Sequence, residues 1–390
     1  MAQKANINRE ILRWARKTAR ISLEKAAKTI SKTARAERIQ DWESDDGKEF
    51  PSIKQAEKLA RLYRRPVEIF YLQYIPRDFK PLKDFRRNRD EGLSTGIIFM
   101  MREVQEKQEW LSNFQRARKQ KKLNFAGKYT VKSPVETVAR DIRETLGIKT
   151  LKPDIKPLRY WIDHAEDKGI YVALSSNFHS RLRLDSDTMK GFVIADSFAP
   201  FVFLNSDDWD HGQLFTLVHE LVHIWIGVSG ICSETGIDVP DADRIHIVEK
   251  FCRAVSIAAL LPEENLRPFF QVKGDLTLRH ISKAARTFGV SNKDILLRAQ
   301  DLKLIPDETV NSLHREAAIA WKEFLAKEAR KPKSSGGPNY YLLQSRRNSR
   351  AFATLVMDAH KSGRLQGPEA SRLLNVKEAN FGKFRDFLFK

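Results

Sequence analysis

Two cysteines, Cys232 and Cys252, are all that the 390 residues contain. That is too few for a disulfide framework or for a zinc site built from cysteines, so the expectation is two reduced thiols in a cytoplasmic protein. Long apolar runs are missing as well. None reaches the roughly 18–20 residues that cross a bilayer. The opening stretch MAQKANINREILRWARK alternates charge with hydrophobe and has no signal-peptide core. Acidic residues are in deficit, 50 Asp and Glu against 69 Lys and Arg, which leaves a formal charge of +19.

That excess is unevenly placed. Between Trp161 and Arg253 the balance reverses, with 15 Asp/Glu against 7 Lys/Arg. The positive charge collects in the flanks, in RRNRD from Arg86, RARKQKK from Arg116, ARKPK around Arg330 and SRRNSR around Arg346. Clusters of this kind favour a polyanionic partner. None coincides with a strong lipid-facing apolar stripe, so nucleic acid is the expected partner and a membrane is not.

Apolar residues recur at helical spacing up to about Leu72, through EILRWARKTAR, SLEKAAKTI, ERIQDWE, SIKQAEKLARLY and PVEIFYL. Ser22 and Ser52 stand where N-caps belong, and Pro66 suits a first helical turn. A proline-bearing connector, IPRDFKPLKDFRRNRDEG, precedes a long basic amphipathic helix from about Gly96 to Arg118. SPVETVARDIRETLGI reads as a helix capped by Ser133. Three short β-rich runs follow, GIYVALSS, KGFVIAD and PFVFLNS, then helices to the end, broken by the linker KSSGGPN. The expected architecture is multidomain and mostly α with a small sheet.

Immediately after the strands comes FTLVHELVHIWIG, which carries His219, Glu220 and His223. Residues four apart share a helix face, so both imidazoles can reach one ion. Glu220 then stands beside the metal, where a carboxylate can take a proton from water. Zinc chemistry needs a third protein ligand and an open fourth position. Glu249, in the helix HIVEKFCRAVSIAALLP, would complete a His2Glu set. His246, Asp238, Asp241 and Asp243 compete with it, and spacing alone does not decide among them.

In this region the chain resembles the ImmA/IrrE metallopeptidases of bacteria, their phages and mobile elements. KGIYV, KGFVIAD, APFVFLNSDDW and QLFTLVHELVHIWIG follow that family's order of strands and active-site helix. EKFCRAVSIAALLP is similar to its second metal helix, Glu-x-x-Ala-Asn-x-Phe-Ala ending in Leu-Leu-x-Pro. The resemblance implies an α+β zincin-like domain that binds one Zn2+ per chain through His219, His223 and Glu249, with Glu220 as general base and later proton donor. Cys252, Arg253, Val255 and Ser256 depart from the family's alanine, asparagine, phenylalanine and alanine. Arg253, one turn beyond Glu249, would pair with it and weaken the metal. His211, His246 and Arg244 are candidates for oxyanion stabilisation.

Residues 7–72 resemble the Xre/Cro-type helix-turn-helix domain often found at the start of this architecture, with its Trp-Glu signature at Trp42 and Glu43. The resemblance places Lys32, Thr33, Arg35 and Arg38 nearest DNA, and then Gln40. It also puts Ala36, Glu37 and Asp41 at base-facing positions, where two carboxylates are electrostatically unfavourable. The implied organisation is a helix-turn-helix domain over 1–75, a helical connector over 76–130, a metallopeptidase domain with helical extension over 131–333 and a helical module over 338–390. The implied function is a DNA-binding regulator fused to a zinc-dependent endopeptidase-like domain. Its expected partners are operator DNA and a repressor-type protein substrate, with a homodimer as one option. The alternative is a non-proteolytic regulator or antitoxin that binds its own operator and a cognate toxin such as a PIN-domain ribonuclease.

Overall fold

The computed structural model describes residues 3–76, 83–84, 95–149, 155–175, 177–179, 182–183, 189–232, 244–271, 275–330 and 339–389. Most of the proline-bearing connector, nearly all of the KSSGGPN linker, and the loop with Asp238, Asp241 and Asp243 lie outside them, as do the side chains of Arg244 and His246. The chain forms two compact units. The first is Met1–Pro81, Asp90–Gln105 and Phe178–Arg183, and the second is Leu82–Arg89, Glu106–Asn177 and Leu184–Lys390.

Polar caps set the helix starts in the first unit. The Asn8 side chain accepts from the backbone N–H groups of Glu10 and Ile11 and opens α1 (Arg9–Thr18). Ser22 does the same for α2 (Leu23–Ile30). The helix α3 (Ala36–Glu43) begins after Arg35 without a side-chain cap. Ser52 and Gln55 make a reciprocal capping box for α4 (Ile53–Tyr63), and a 3-10 turn, Val67–Tyr71, follows Pro66. Each helix contributes its apolar stripe to one core that holds Ile11, Leu12, Ala27, Ile39, Trp42, Leu59, Tyr63 and Phe70. Glu43 is buried with it and is joined by the half-buried Arg16, through Nε at 2.8 Å and Nη2 at 2.7 Å. The long helix α5 (Thr95–Ala117) contributes residues up to Gln105 to this unit.

The second unit surrounds a mixed five-stranded sheet. In chain order the described strands of the whole chain are β1 (Lys83–Asp84), β2 (Tyr171–Leu174), β3 (Asn177–His179), β4 (Leu182–Arg183), β5 (Gly191–Ile194), β6 (Phe201–Leu204) and β7 (Gly230–Cys232), of which β4 and most of β3 fall in the first unit. Their order in the sheet is β1-β7-β5-β6-β2, while β3 and β4 pair only with each other. The strand β5 runs antiparallel to both neighbours, in register Phe192↔Phe203 with β6 and Phe192↔Ile231 with β7. All four residues of β6 are buried, as a continuous apolar run in a sheet covered on both faces should be.

Helices α6 (Val135–Leu146), α7 (Pro157–Asp167), α8 (Asp210–Trp225) and α9 (Arg244–Leu260) carry the apolar mass beside the sheet. The helix α6 differs from expectation at its start. Pro134 is its N-cap, and Ser133 instead uses its hydroxyl to accept from the Thr130 N–H. After α9 come α10 (Glu263–Leu266), α11 (Leu278–Phe288), α12 (Asn292–Asp301) and α13 (Asp307–Ala329). The last four are α14 (Tyr340–Asn348), α15 (Arg350–Lys361), α16 (Gly367–Leu374) and α17 (Phe381–Leu388). Buried polar contacts tie α15 back to α7. Glu166 accepts from the Ser349 hydroxyl at 2.5 Å and from the Ala351 N–H at 3.2 Å. Among the described residues no helix is long and apolar enough to cross a membrane.

Candidate metal centre

From Gln213 to Trp225 every residue of α8 is buried. A helix apolar on nearly all sides belongs inside a fold, and here α9, α6, α7 and the sheet enclose it. The few polar side chains on such a helix need internal partners. His219 and His223, one turn apart, present their rings 5.1 Å from each other. Both aim Nε2 at one carboxylate on the neighbouring helix. His219 Nε2 lies 3.0 Å from Glu249 Oε2, and His223 Nε2 lies 3.2 Å from Glu249 Oε1.

Those separations fit a tetrahedral metal. Nitrogen and oxygen ligands about 2.0–2.1 Å from zinc sit roughly 3.3 Å from one another at the corners of a tetrahedron. The two nitrogen-to-oxygen separations at Glu249 are close to that spacing. The competing side chains of His246, Asp238, Asp241 and Asp243 lie outside the described residues, and Glu249 is the candidate that α9 brings to both imidazoles.

Burial and mutual attraction pull the titrations apart. Burial resists charge on Glu249, but His219 and His223 overcome it and hold the carboxyl down at about 2. Burial also resists charge on His219, yet Glu249 and Glu220 leave that imidazole above its ordinary value. In His223 burial prevails and lowers the value. The centre therefore favours positive charge beside Glu249, a role that a divalent ion would fill.

Glu220 is fully buried one residue from His219. Its space is provided by Gly191 at the start of β5, which the sequence reading did not single out. A Cβ at Gly191 would lie 3.3 Å from Glu220 Oε1 and only 2.8 Å from the Phe203 carbonyl oxygen and from the Thr216 methyl. Small size at that one strand position is the signal a sequence reader could have used.

Cys252 is the second omission. It is fully buried on α9, one turn from Glu249. His219, His223 and Cys252 each bring a potential ligand atom within 4.8 Å of the others. Burial, with Glu249 and Glu220 nearby, pushes its thiol well above the ordinary range. Arg253 behaves differently from expectation. Its guanidinium stands over the Phe215 ring at 5.5 Å, a cation–π distance, and does not pair with Glu249.

The far end of α9 is fixed by two arginines. Arg143 Nη1 donates to the Ala259 carbonyl at 2.9 Å, and Arg298 Nε donates to the Leu261 carbonyl at 3.2 Å. Arg298 also reaches Glu136 at 2.7 Å. Cations at a helix C-terminus satisfy its orphan carbonyls and complement its dipole. These contacts explain why the segments flanking the motif, α6 and α12, matter to the centre. They fix the helix that carries Glu249.

The remaining candidates lie elsewhere. His211 packs its ring against Trp321 at 5.8 Å, two turns before His219 on α8, and is not brought to the centre. In the first unit Lys32, Thr33, Arg35, Arg38 and Gln40 are all exposed around the α2–α3 turn and the start of α3. Arg38 lies over the Trp42 ring at 5.3 Å. Asp41, on α3, is engaged with the loop that follows the helix. Its carboxylate accepts from the Lys48 and Glu49 N–H groups at 3.0 Å each, and these bonds lower its pKa. Glu37 is exposed.

No curated protein matches the chain. Residues 144–300, which contain both histidines, Glu220, Glu249 and Cys252, match the family model Peptidase_M78, the IrrE N-terminal-like domain, and this stretch supports placement with the ImmA/IrrE metallopeptidases.

Proposed function

We propose that the chain is a DNA-binding regulator whose 131–333 region is a zinc-dependent endopeptidase-like domain acting on a repressor-type protein partner, in a mobile-element, defence or stress response. The observation that carries this reading is the convergence of His219, His223 and Glu249 beside buried Glu220. Zinc held there would polarise a scissile carbonyl and acidify a water molecule. Glu220 supplies the proton traffic. One carboxylate oxygen takes the proton of the attacking water, and the same group returns it to the leaving amine nitrogen. Gly191 leaves that carboxylate room, and the apolar shell of Leu221, Val222 and Val255 limits competing solvent.

Glu220→Gln keeps size and removes the base. Zinc content should stay at one per chain while cleavage of a repressor-type protein substrate falls by roughly 10²–10⁴-fold. Equal cleavage by the variant would remove Glu220 from the mechanism. Cys252, with its thiol in the same buried cluster as both histidines, favours a second reading, a regulator or antitoxin that binds its toxin without cutting it. Stoichiometric binding with no turnover by the wild-type protein would select that reading.

The exposed basic residues around the α2–α3 turn support DNA binding by a helix-turn-helix domain over 1–75. Phosphate contacts make affinity salt-dependent, so changing both Arg35 and Arg38 to Ala should weaken operator binding and flatten its salt slope. Unchanged affinity and slope in a gel shift would withdraw this assignment.

A further inference from the structure

The geometry points to Cys252 as a fourth protein ligand of the metal that His219, His223 and Glu249 hold, so that the resting centre is closed and not open to water. The inference rests on the metal-site reading above and extends it. Three features carry it. Cys252 and Glu249 sit three residues apart on α9, which places both side chains on the face turned to α8. The thiol shares one buried cluster with both imidazoles, all potential ligand atoms within 4.8 Å. Glu249 reaches the same two imidazoles at 3.0 and 3.2 Å, so with the cysteine as ligand the donors would be two nitrogens, one oxygen and one sulfur.

Four protein donors around zinc make a closed centre, whereas hydrolytic sites keep one position for water. A thiolate also biases the site towards zinc, cobalt or cadmium and away from magnesium or calcium. On loading, the S–H bond breaks, its proton passes to solvent and the sulfur bonds the divalent ion. No oxidant or reductant is needed. A substrate carbonyl or water could then engage the metal only after the sulfur has left it.

The competing role for Cys252 is packing alone, as a somewhat larger stand-in for the alanine of the resembled motif. Absorption of the full-length protein loaded with Co2+ separates the two. Wild-type protein should show visible ligand-field bands together with an intense near-ultraviolet sulfur-to-cobalt band. Cys252→Ala and Cys252→Ser should lose the sulfur band and keep the visible bands. The alanine variant restores the residue usual in the motif, and the serine variant keeps the volume. Visible bands without a sulfur band in the wild type would overturn the proposal and leave the His2Glu site standing. Absence of any cobalt spectrum would overturn the metal site itself, and the proposal with it. An open position should also make Cys252→Ala cleave faster than wild type, and adding Glu220→Gln should abolish that gain.

Discussion

The two units bury ionisable groups in opposite ways. In the first, Arg16 and Glu43 face each other through three hydrogen bonds, and the charges cancel inside the fold. In the second, two imidazoles and a carboxylate turn their donor atoms towards one point, with Glu220 and Cys252 close behind. A closed pair has no need of anything from outside. A convergent cluster of lone-pair donors is an arrangement that suits a cation. Burial alone therefore does not mark a site; the direction of the donor atoms does.

The largest break in this comparison comes from the convergent side. His223→Ala removes one of two imidazoles from a helix face with no substitute among the described residues of α8. Metal content by elemental analysis should fall from one ion per chain to almost none, while the helices of the first unit keep their amide protection. Retention of a full zinc equivalent would show that the ligands are others.

A medium effect is expected on the closed side. The Arg16 and Glu43 side chains are only 13% and 4% exposed, so Glu43→Ala strands a buried guanidinium. Losing one partner of such a pair costs roughly 3–5 kcal/mol. Hydrogen exchange in α1–α4 of the full chain should speed accordingly. Replacing both residues with apolar ones of similar volume should recover most of that loss, because the pair serves the fold alone. The same swap at His219 and Glu249 should restore no metal.

The smallest effect concerns Glu166, which joins α7 to α15. Burial raises its pKa above the ordinary 4.5, in spite of the Ser349 and Ala351 hydrogen bonds. The native carboxyl then keeps its proton at a pH where the unfolded one has lost it. Stability from this group is complete below 4.5 and declines as pH rises through the folded value. Thermal unfolding followed from about pH 4 to pH 7 should show a shallower decline for Glu166→Gln than for the wild type. Identical slopes would mean that other groups set the pH dependence.

Local chemistry was legible in the sequence wherever it was also decisive. Ser22 and Ser52 cap their helices, the three β-rich runs are β2, β5 and β6, and the spacing of His219 and His223 puts both on one face. What depends on neighbours distant in sequence was not legible. The two-residue strands β1 and β4 exist only through their pairing. Ser133 reads as a cap because serine often is one, yet Pro134 already sets the backbone angle and leaves the hydroxyl to the preceding turn. Arg253 stands four residues beyond Glu249, where pairing looked natural, but Phe215 of α8 offers its ring instead. Cys252 was set aside because two cysteines cannot build a zinc site alone. Only the packing of α9 on α8 shows it beside two histidines.

The hydrogen atom that serves as the side chain of Gly191 acts as a clearance gauge for the whole centre. The strand backbone, the Thr216 methyl and the Glu220 carboxylate meet across a gap too narrow for one carbon atom. A methyl group there would wedge β5 away from α8 or push the carboxylate aside, with every donor atom still present. The fold thus places the Glu220 carboxylate one small substitution away from displacement, with no change to either histidine.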